Sequence, residues 1–143
     1  MKIQLTDQQL SALKEYSKEG RSAWKYRDIE KAESKFLLAW SIIPEPKIDY
    51  DYAQSLSRGL VIFYRETRNY EKAKLWISIM ADLHGSTSDP SVQFLTATVH
   101  FDAGEFDQAY ELFQQLHANF GKRPFDGEDR KYLEFFKNRA KGK

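Results

Sequence analysis

Residues 28–44, which read DIEKAESKFLLAWSIIP, decide the fold of the chain. Apolar side chains recur there every three or four positions, so they share one face of a helix. Asp28 is suited to cap the first turn, and Pro44 cannot continue the backbone hydrogen-bond ladder. Two of the side chains on this face are alanines, which project little from the helix and let a neighbouring helix approach closely. The stretch therefore predicts a helix on which others pack, through a face made of Ile29, Ala32, Phe36, Ala39 and Ile43.

The first five residues of this stretch form a sequence motif that occurs twice more along the chain. Residues 28–32 (DIEKA), 69–73 (NYEKA) and 105–109 (EFDQA) share a polar start, a large apolar residue, an acid, a polar residue and alanine. Successive copies begin 41 and then 36 residues apart. Recurrence at such a spacing is the signature of stacked helical repeats.

The repeated positions resemble those of the tetratricopeptide repeat family, whose unit is an antiparallel helix pair. The family has a small residue late in the first helix and an alanine early in the second. The early tryptophan of the family is missing from this chain, and the usual period of about 34 residues is stretched. The resemblance is carried by Gly20, Ala32, Phe36, Ala39 and Pro44 in the first unit, by Leu60, Tyr64, Tyr70 and Ala73 in the second, and by Ala97, Phe106, Ala109 and Phe113 in the third.

This resemblance implies an all-α fold, a right-handed α-solenoid of about three antiparallel helix pairs with a C-terminal capping helix. We expect a single domain over residues 1–143, with repeat units at about 7–45, 49–85 and 89–121 and the capping helix at 126–140. Gly20 costs about 1 kcal/mol of helix propensity relative to alanine. We therefore expect the second helix to cross the first at this glycine.

Composition excludes several classes of function. With 22 basic and 21 acidic side chains, the net charge of +1 provides no global field that would attract nucleic acid or a membrane. Basic and aromatic residues alternate over residues 122–132, but acids interrupt that run, so we expect no nucleic-acid binding. The chain has no cysteine, which excludes disulfides and thiolate metal sites. No signal peptide or membrane-spanning run is visible in the sequence, and we expect a cytoplasmic protein.

The side chains that catalysis or metal binding would need are not arranged for it. His84, His100 and His117 lack the i, i+4 spacing that places two imidazoles on one metal. Neighbouring acids such as Asp49 and Asp51 are better explained by solvated helix ends than by acid–base chemistry. Since the sequence also lacks a phosphate-binding glycine loop and a nucleophile elbow, we expect no enzyme activity, catalytic residue, cofactor or metal.

The family resemblance implies that the first helices of successive units line a concave face. Arginine beside aromatic side chains is typical of interface hot spots and suits an acidic segment or a carboxylate. The alternative is that these cations only solvate a helix face and that Trp24 packs inside the first helix pair. The family's chaperone-tail clamp is not intact, because Arg21 and Gly59 occupy its two asparagine positions. The predicted partner-binding residues are Arg21, Trp24, Lys25, Arg58, Ile62, Arg65, Phe94 and Phe101.

From these patterns we expect a non-enzymatic protein-binding module that acts by occupying a protein partner, which is a toxin, an effector or a complex subunit. An immunity protein or antitoxin that neutralises a bacterial toxin is the favoured form, and a dedicated chaperone or scaffold is the alternative. A third hypothesis is self-association through aromatic side chains, in which the chain is a monomer or a weak homodimer. The aromatic residues considered for that role are Tyr50, Tyr52, Phe125 and Tyr132.

Overall fold

The computed structural model describes residues 2–85 and 89–142, and within these ranges helices are the only regular secondary structure. The seven α-helices of the described residues are α1 (Asp7–Lys25), α2 (Ile29–Ile42), α3 (Asp51–Glu66), α4 (Tyr70–His84), α5 (Pro90–Asp102), α6 (Phe106–Phe120) and α7 (Arg130–Ala140). Helices α1 to α6 pack in three successive pairs, α1 with α2, α3 with α4 and α5 with α6, and α7 packs on α6. The predicted all-α class, with three helix pairs and a closing helix, is confirmed.

Local signals in the sequence set where the first two helices begin and end. The Thr6 hydroxyl accepts from the backbone of Gln9 at 3.1 Å, and the Gln9 side chain accepts from the backbone of Thr6 at 2.9 Å. This reciprocal pair is a capping box that satisfies two helix-end donors. Asp28 caps α2 by accepting from the backbone of Lys31 at 3.2 Å, and α2 ends just before Pro44.

The three turns inside the helix pairs have the same backbone geometry. Each contains one residue in the left-handed region, at Arg27, Arg68 or Gly104, with φ between 64° and 81°. The following amide donates to a carbonyl five residues earlier at 2.8–2.9 Å. Together with the neighbouring bond this is the Schellman arrangement, which satisfies the last carbonyls of a helix. The recurring five-residue motif therefore corresponds to a recurring turn followed by the start of a helix.

Gly20 lies where α2 crosses α1, as predicted. A Cβ atom built on Gly20 would sit 2.7 Å from two ring atoms of Phe36, which is closer than real contacts allow. The Phe36 ring is held in turn, since its centroid is 6.3 Å from that of Trp24 and 5.3 Å from that of Phe63. The glycine therefore sets how closely the first two helices approach.

Two aromatic clusters form most of the core. The first joins α1 to α5 around Phe63 and Tyr64, with an edge-on contact of 4.9 Å between Trp40 and Trp76. The second joins α5, α6 and α7 and includes Phe113, which is fully buried. Edge-to-face aromatic pairs of this kind add to the stabilisation that burial already provides.

Some sequence expectations about individual side chains are wrong. Ile29, expected on the packed face of α2, is the first residue of that helix and is 36% exposed. Phe125 and Tyr132, considered as surface residues for self-association, are 5% and 2% exposed. They are buried because the turn at Arg123–Phe125 and helix α7 fold back over α5 and α6. The capping helix begins at Arg130, four residues later than expected.

Glu33 links the first helix pair to the second. Its carboxylate accepts from the Tyr64 hydroxyl at 2.7 Å and from the Lys72 ammonium at 2.8 Å. The hydrogen bond from Lys72, followed by that from Tyr64, lowers the pKa of Glu33 below its ordinary value. A lowered pKa in the folded state means that the ionised side chain stabilises the fold above its unfolded pKa, and that this contribution is lost as the pH falls.

We expect Glu33→Gln to reduce the free energy of unfolding by about 1 kcal/mol at neutral pH, since charge-assisted bonds are lost. The difference from wild type should shrink as the pH falls below the ordinary pKa of a glutamate, about 4.3, and disappear once Glu33 is protonated in the folded state as well. Urea unfolding followed by circular dichroism at a series of pH values measures both effects. Glu30→Gln, at an exposed position on the same helix, is the matched control. A difference that stays constant down to pH 3 would contradict the assignment.

Candidate protein-binding groove

A groove of about 650 Å³ lies between α1 and α3. Apolar side chains form most of its lining, and its two walls come from the first helices of the first two pairs. The side chains that line it are Leu13, Lys14, Ser17, Lys18, Arg21 and Trp24 from α1, Phe36 from α2, and Tyr52, Ser55, Leu56, Gly59, Leu60 and Ile62 from α3.

Trp24 is held rigidly at one end of this groove. Its ring centroid lies 6.3 Å from that of Phe36 and 5.2 Å from that of Phe63, with both rings edge-on. A role in binding and a role in packing were alternatives for Trp24 in the sequence. The two are not exclusive, because Trp24 packs inside the first helix pair and also lines the groove. A half-buried indole that cannot turn away gives a preorganised apolar contact.

Three cations form one rim of the groove. Lys14, Lys18 and Arg21 are exposed on α1, and none of them has an ion-pair partner in the part of the chain that the structure describes. Of the described residues that line the groove, none is acidic. The groove is therefore locally basic although the chain as a whole is nearly neutral, and the field at its rim favours a negatively charged occupant.

A second cavity, of about 540 Å³, lies between α3 and α5. Arg58 lines it together with Arg123, Phe120 and an edge of Phe94. Ser55 borders both cavities and forms the ridge between them. The predicted concave surface is therefore divided into two basins.

Two predicted binding residues have internal partners instead. The Arg65 side chain is only 11% exposed, and its guanidinium donates to Thr98 Oγ1 at 2.8 Å and lies 3.6 Å from Asp102. Phe101 packs against Phe135 and two other rings at the junction with α7. We expected both residues on a free concave face, and the structure places them in the contact between α3, α5 and α7.

The remaining predicted residues are distributed as follows. Phe94 is 6% exposed and belongs mainly to the second core cluster. Lys25 is exposed but outside both cavities, with its ammonium 5.9 Å from the centre of the Tyr26 ring. Arg21 and Ile62 line the α1–α3 groove as expected. Their partner-binding role stays a prediction.

No protein-family model matches the chain, and neither a curated protein nor a solved structure shows significant similarity to it. The likeness to tetratricopeptide repeats therefore stays a prediction that rests on the repeated five-residue motif and the residues around it.

Within residues 2–85 and 89–142, no His, Asp and Glu side chains gather into a group of three that could hold a metal ion. None of the described helices has both the length and the apolar character needed to cross a membrane.

Sequence reasoning missed several side chains of the groove. Lys18 lies one turn after Lys14 on α1, so its place on the rim follows from the i, i+4 rule. Tyr52 and Leu56 are likewise spaced four residues apart on α3 and both line the groove. Helical spacing could have found these three residues. Arg123 and Phe120 could not be found in that way, because they reach the second cavity from the end of α6 and the turn that follows it.

Gly59 has no steric reason to be glycine. It lies in the middle of α3, it is exposed, and a Cβ atom built on it would have no neighbour within 4 Å. Glycine at such a position costs about 1 kcal/mol relative to alanine. This situation is opposite to that of Gly20, where the Phe36 ring occupies the space of a side chain.

Alanine substitution should therefore have opposite effects at the two glycines. Gly59→Ala is expected to raise the free energy of unfolding by up to about 1 kcal/mol through helix propensity. Gly20→Ala is expected to lower it by about 1 kcal/mol, because overpacking of about 1–3 kcal/mol exceeds the same gain in propensity. Parallel urea titrations of the two variants measure the pair of effects. Stabilisation by Gly20→Ala would show that Phe36 is free to move, contrary to the packing described above.

Proposed function

We propose that the chain is a non-enzymatic protein-binding module that holds its partner in the groove between α1 and α3. The observation that supports this most directly is the composition of the lining, in which rigid apolar side chains lie beside Lys14, Lys18 and Arg21 and no described lining residue is acidic. Aromatic residues and arginine are enriched in the cores of protein interfaces, where a few of them contribute most of the binding energy.

Apolar contacts and charges have different roles in this proposal. Trp24 and Ile62 provide the apolar surface whose burial favours association. The exposed rim cations mainly guide the approach of an acidic partner, so their removal lowers the association rate and its dependence on salt. The partner is therefore expected to present an apolar surface edged by carboxylates.

Affinity capture from a native lysate, followed by mass spectrometry, tests the proposal. The bait variant Lys14→Glu/Lys18→Glu/Arg21→Glu, called the rim variant, reverses the charge of the groove rim. The control variant Lys31→Glu/Lys122→Glu/Lys137→Glu makes the same change in net charge at exposed positions outside the groove. We expect one stoichiometric partner that the wild type and the control retain and that the rim variant loses. Equal retention by the rim and control variants would refute the groove.

Neutralisation of a toxin, as by an immunity protein or antitoxin, is the form of this function that we favour, with a dedicated chaperone or scaffold as the alternative. Both need only occupancy of a partner, which a groove with an apolar and cationic lining supports. The absence of cysteine agrees with the reducing cytoplasm in which we place this function. Expression of the captured partner separates the two forms. Growth arrest that the wild type relieves and the rim variant does not favours neutralisation, whereas a partner that is harmless but insoluble alone favours the chaperone.

A further inference from the structure

We infer that the occupant of the α1–α3 groove is an amphipathic α-helix of the partner, with acidic side chains along one edge, and that this helix crosses α3 at Gly59. The inference rests on the proposed function, since it specifies the form of the partner in that groove. Two independent features of the groove lead to it: the spacing of the rim charges and the unfilled space at Gly59.

The rim charges follow a helical repeat. Lys14, Lys18 and Arg21 are four and then three residues apart on α1, so they lie in one row over about 10 Å. A helix that lies along α1 has the same rise per residue. Acids spaced four and three residues apart on that helix would each face one of the three cations.

The position of the charges relative to the apolar lining favours a helix over an extended segment. The cationic rim on α1 lies beside the apolar floor formed by residues such as Leu60 and Ile62. Successive side chains of a strand point to opposite faces, so a strand that buries apolar residues turns its alternate residues away from the groove. A helix presents an apolar stripe and a charged edge on adjacent faces, which is the arrangement that the groove requires.

Gly59 and Ser55 leave space on the α3 side for a close approach. They are one turn apart, and both line the groove. The described part of the fold does not use the space over Gly59, since none of its atoms apart from the neighbouring backbone of α3 lies within 4 Å of the position of a Cβ. Small residues on a helix allow a second helix to pack near the lower end of the usual range, about 8–10 Å between axes. The propensity lost at Gly59 is explained if the backbone of the bound helix passes over this point.

Selection from two peptide libraries on the purified protein tests this inference. The first library contains lactam-bridged helical peptides with apolar residues on one face and Glu, Gln or Lys randomised along one edge. The second library has the same composition but carries a central proline that prevents the helix. The rim variant and a Gly59→Gln variant are used beside the wild type. Gln is a good helix former, so Gly59→Gln blocks the crossing point without weakening α3. Ser34→Gln, at an exposed position on α2 outside the groove, is the matched control.

We expect the wild type and Ser34→Gln to enrich helical peptides with Glu at i, i+4 and i+7. The best of these peptides should bind the rim variant at least about tenfold more weakly, as loss of two or three rim pairs predicts. Binding to Gly59→Gln should be weakened by a similar factor, because the new side chain fills the crossing point. Enrichment from the proline library alone, or equal affinity for Gly59→Gln, would overturn the helix. So would the absence of enrichment from either library, or a homodimer of the wild type that Gly59→Gln abolishes. Because the selection uses purified protein, its failure is distinguishable from that of the proposed function, which is decided by rim-dependent capture from the lysate.

Discussion

Phe113→Ala should lower the free energy of unfolding by about 3–5 kcal/mol, a large part of the about 5–15 kcal/mol by which a domain of this size is stable. Phe113 is fully buried at the centre of the second aromatic cluster. Its ring centroid lies 5.3 Å from that of Phe125, 5.6 Å from that of Phe94 and 5.9 Å from that of Tyr132. The substitution removes apolar area and leaves a cavity whose walls come from three separate elements, so they cannot collapse together easily.

Phe120→Ala provides the control for Phe113→Ala. Phe120 lies on the same helix but is 45% exposed, so its truncation should change the free energy of unfolding by less than about 1 kcal/mol. Guanidinium unfolding of both variants, followed by circular dichroism and by tryptophan fluorescence, gives the two values. Equal losses would contradict the position of Phe113 as the centre of this cluster.

Features that depend on a few neighbouring residues were predictable from the sequence. Asp28 caps α2 because its side chain reaches an amide only three residues away. The close crossing at Gly20 was predictable because an approaching backbone or ring is a common physical reason for a glycine inside an otherwise regular helix. Local spacing and residue size carry this information, which is why the all-α class and the helix pairs could be predicted.

Features that depend on how distant elements meet were not predictable. Arg65 has the spacing of a surface residue on α3, and nothing near it in sequence shows that Asp102 lies against it. The burial of Tyr132 was not predictable, because the return of α7 over α5 depends on the turn at Arg123–Phe125. Periodicity identifies the apolar face of a helix but not the element that covers it.

The candidate groove shows both cases. Arg21 and Trp24 both line it, since helical spacing fixes which face of α1 they share, and their role in binding stays a prediction. Arg58 was expected in the same surface, but it belongs to the second cavity. The division at Ser55 depends on the distances between α1, α3 and α5, which follow from packing between successive helix pairs and not from the sequence of any one helix.

Asp102→Asn is expected to destabilise the fold by about 3 kcal/mol, the lower end of the range for breaking a buried ion pair. The Asp102 carboxylate is 11% exposed and lies 3.6 Å from Arg65 and 3.3 Å from the ammonium of Lys131. It also accepts from the Tyr132 hydroxyl at 3.4 Å. Burial raises the pKa of Tyr132, so its hydroxyl keeps the proton that it donates. Loss of the carboxylate charge leaves the Arg65 side chain, which is 11% exposed, without its buried counter-ion. The Nε of Arg65 already lacks a hydrogen-bond partner in the described chain.

The exposed pair of Asp107 and Arg139 separates this effect from ordinary surface electrostatics. Asp107 is 87% exposed, so Asp107→Asn should change the free energy of unfolding by less than about 1 kcal/mol. A further variant, Asp102→Asn/Arg65→Met, removes both charges of the buried pair. It should be more stable than Asp102→Asn alone, because the main cost of the single substitution is a largely buried guanidinium that keeps only the exposed Glu66 as its counter-ion, and not the loss of the pair itself. If the double variant is less stable than the single one, Arg65 contributes mainly through its bonds to Thr98 and Glu66, and the ion pair with Asp102 is secondary.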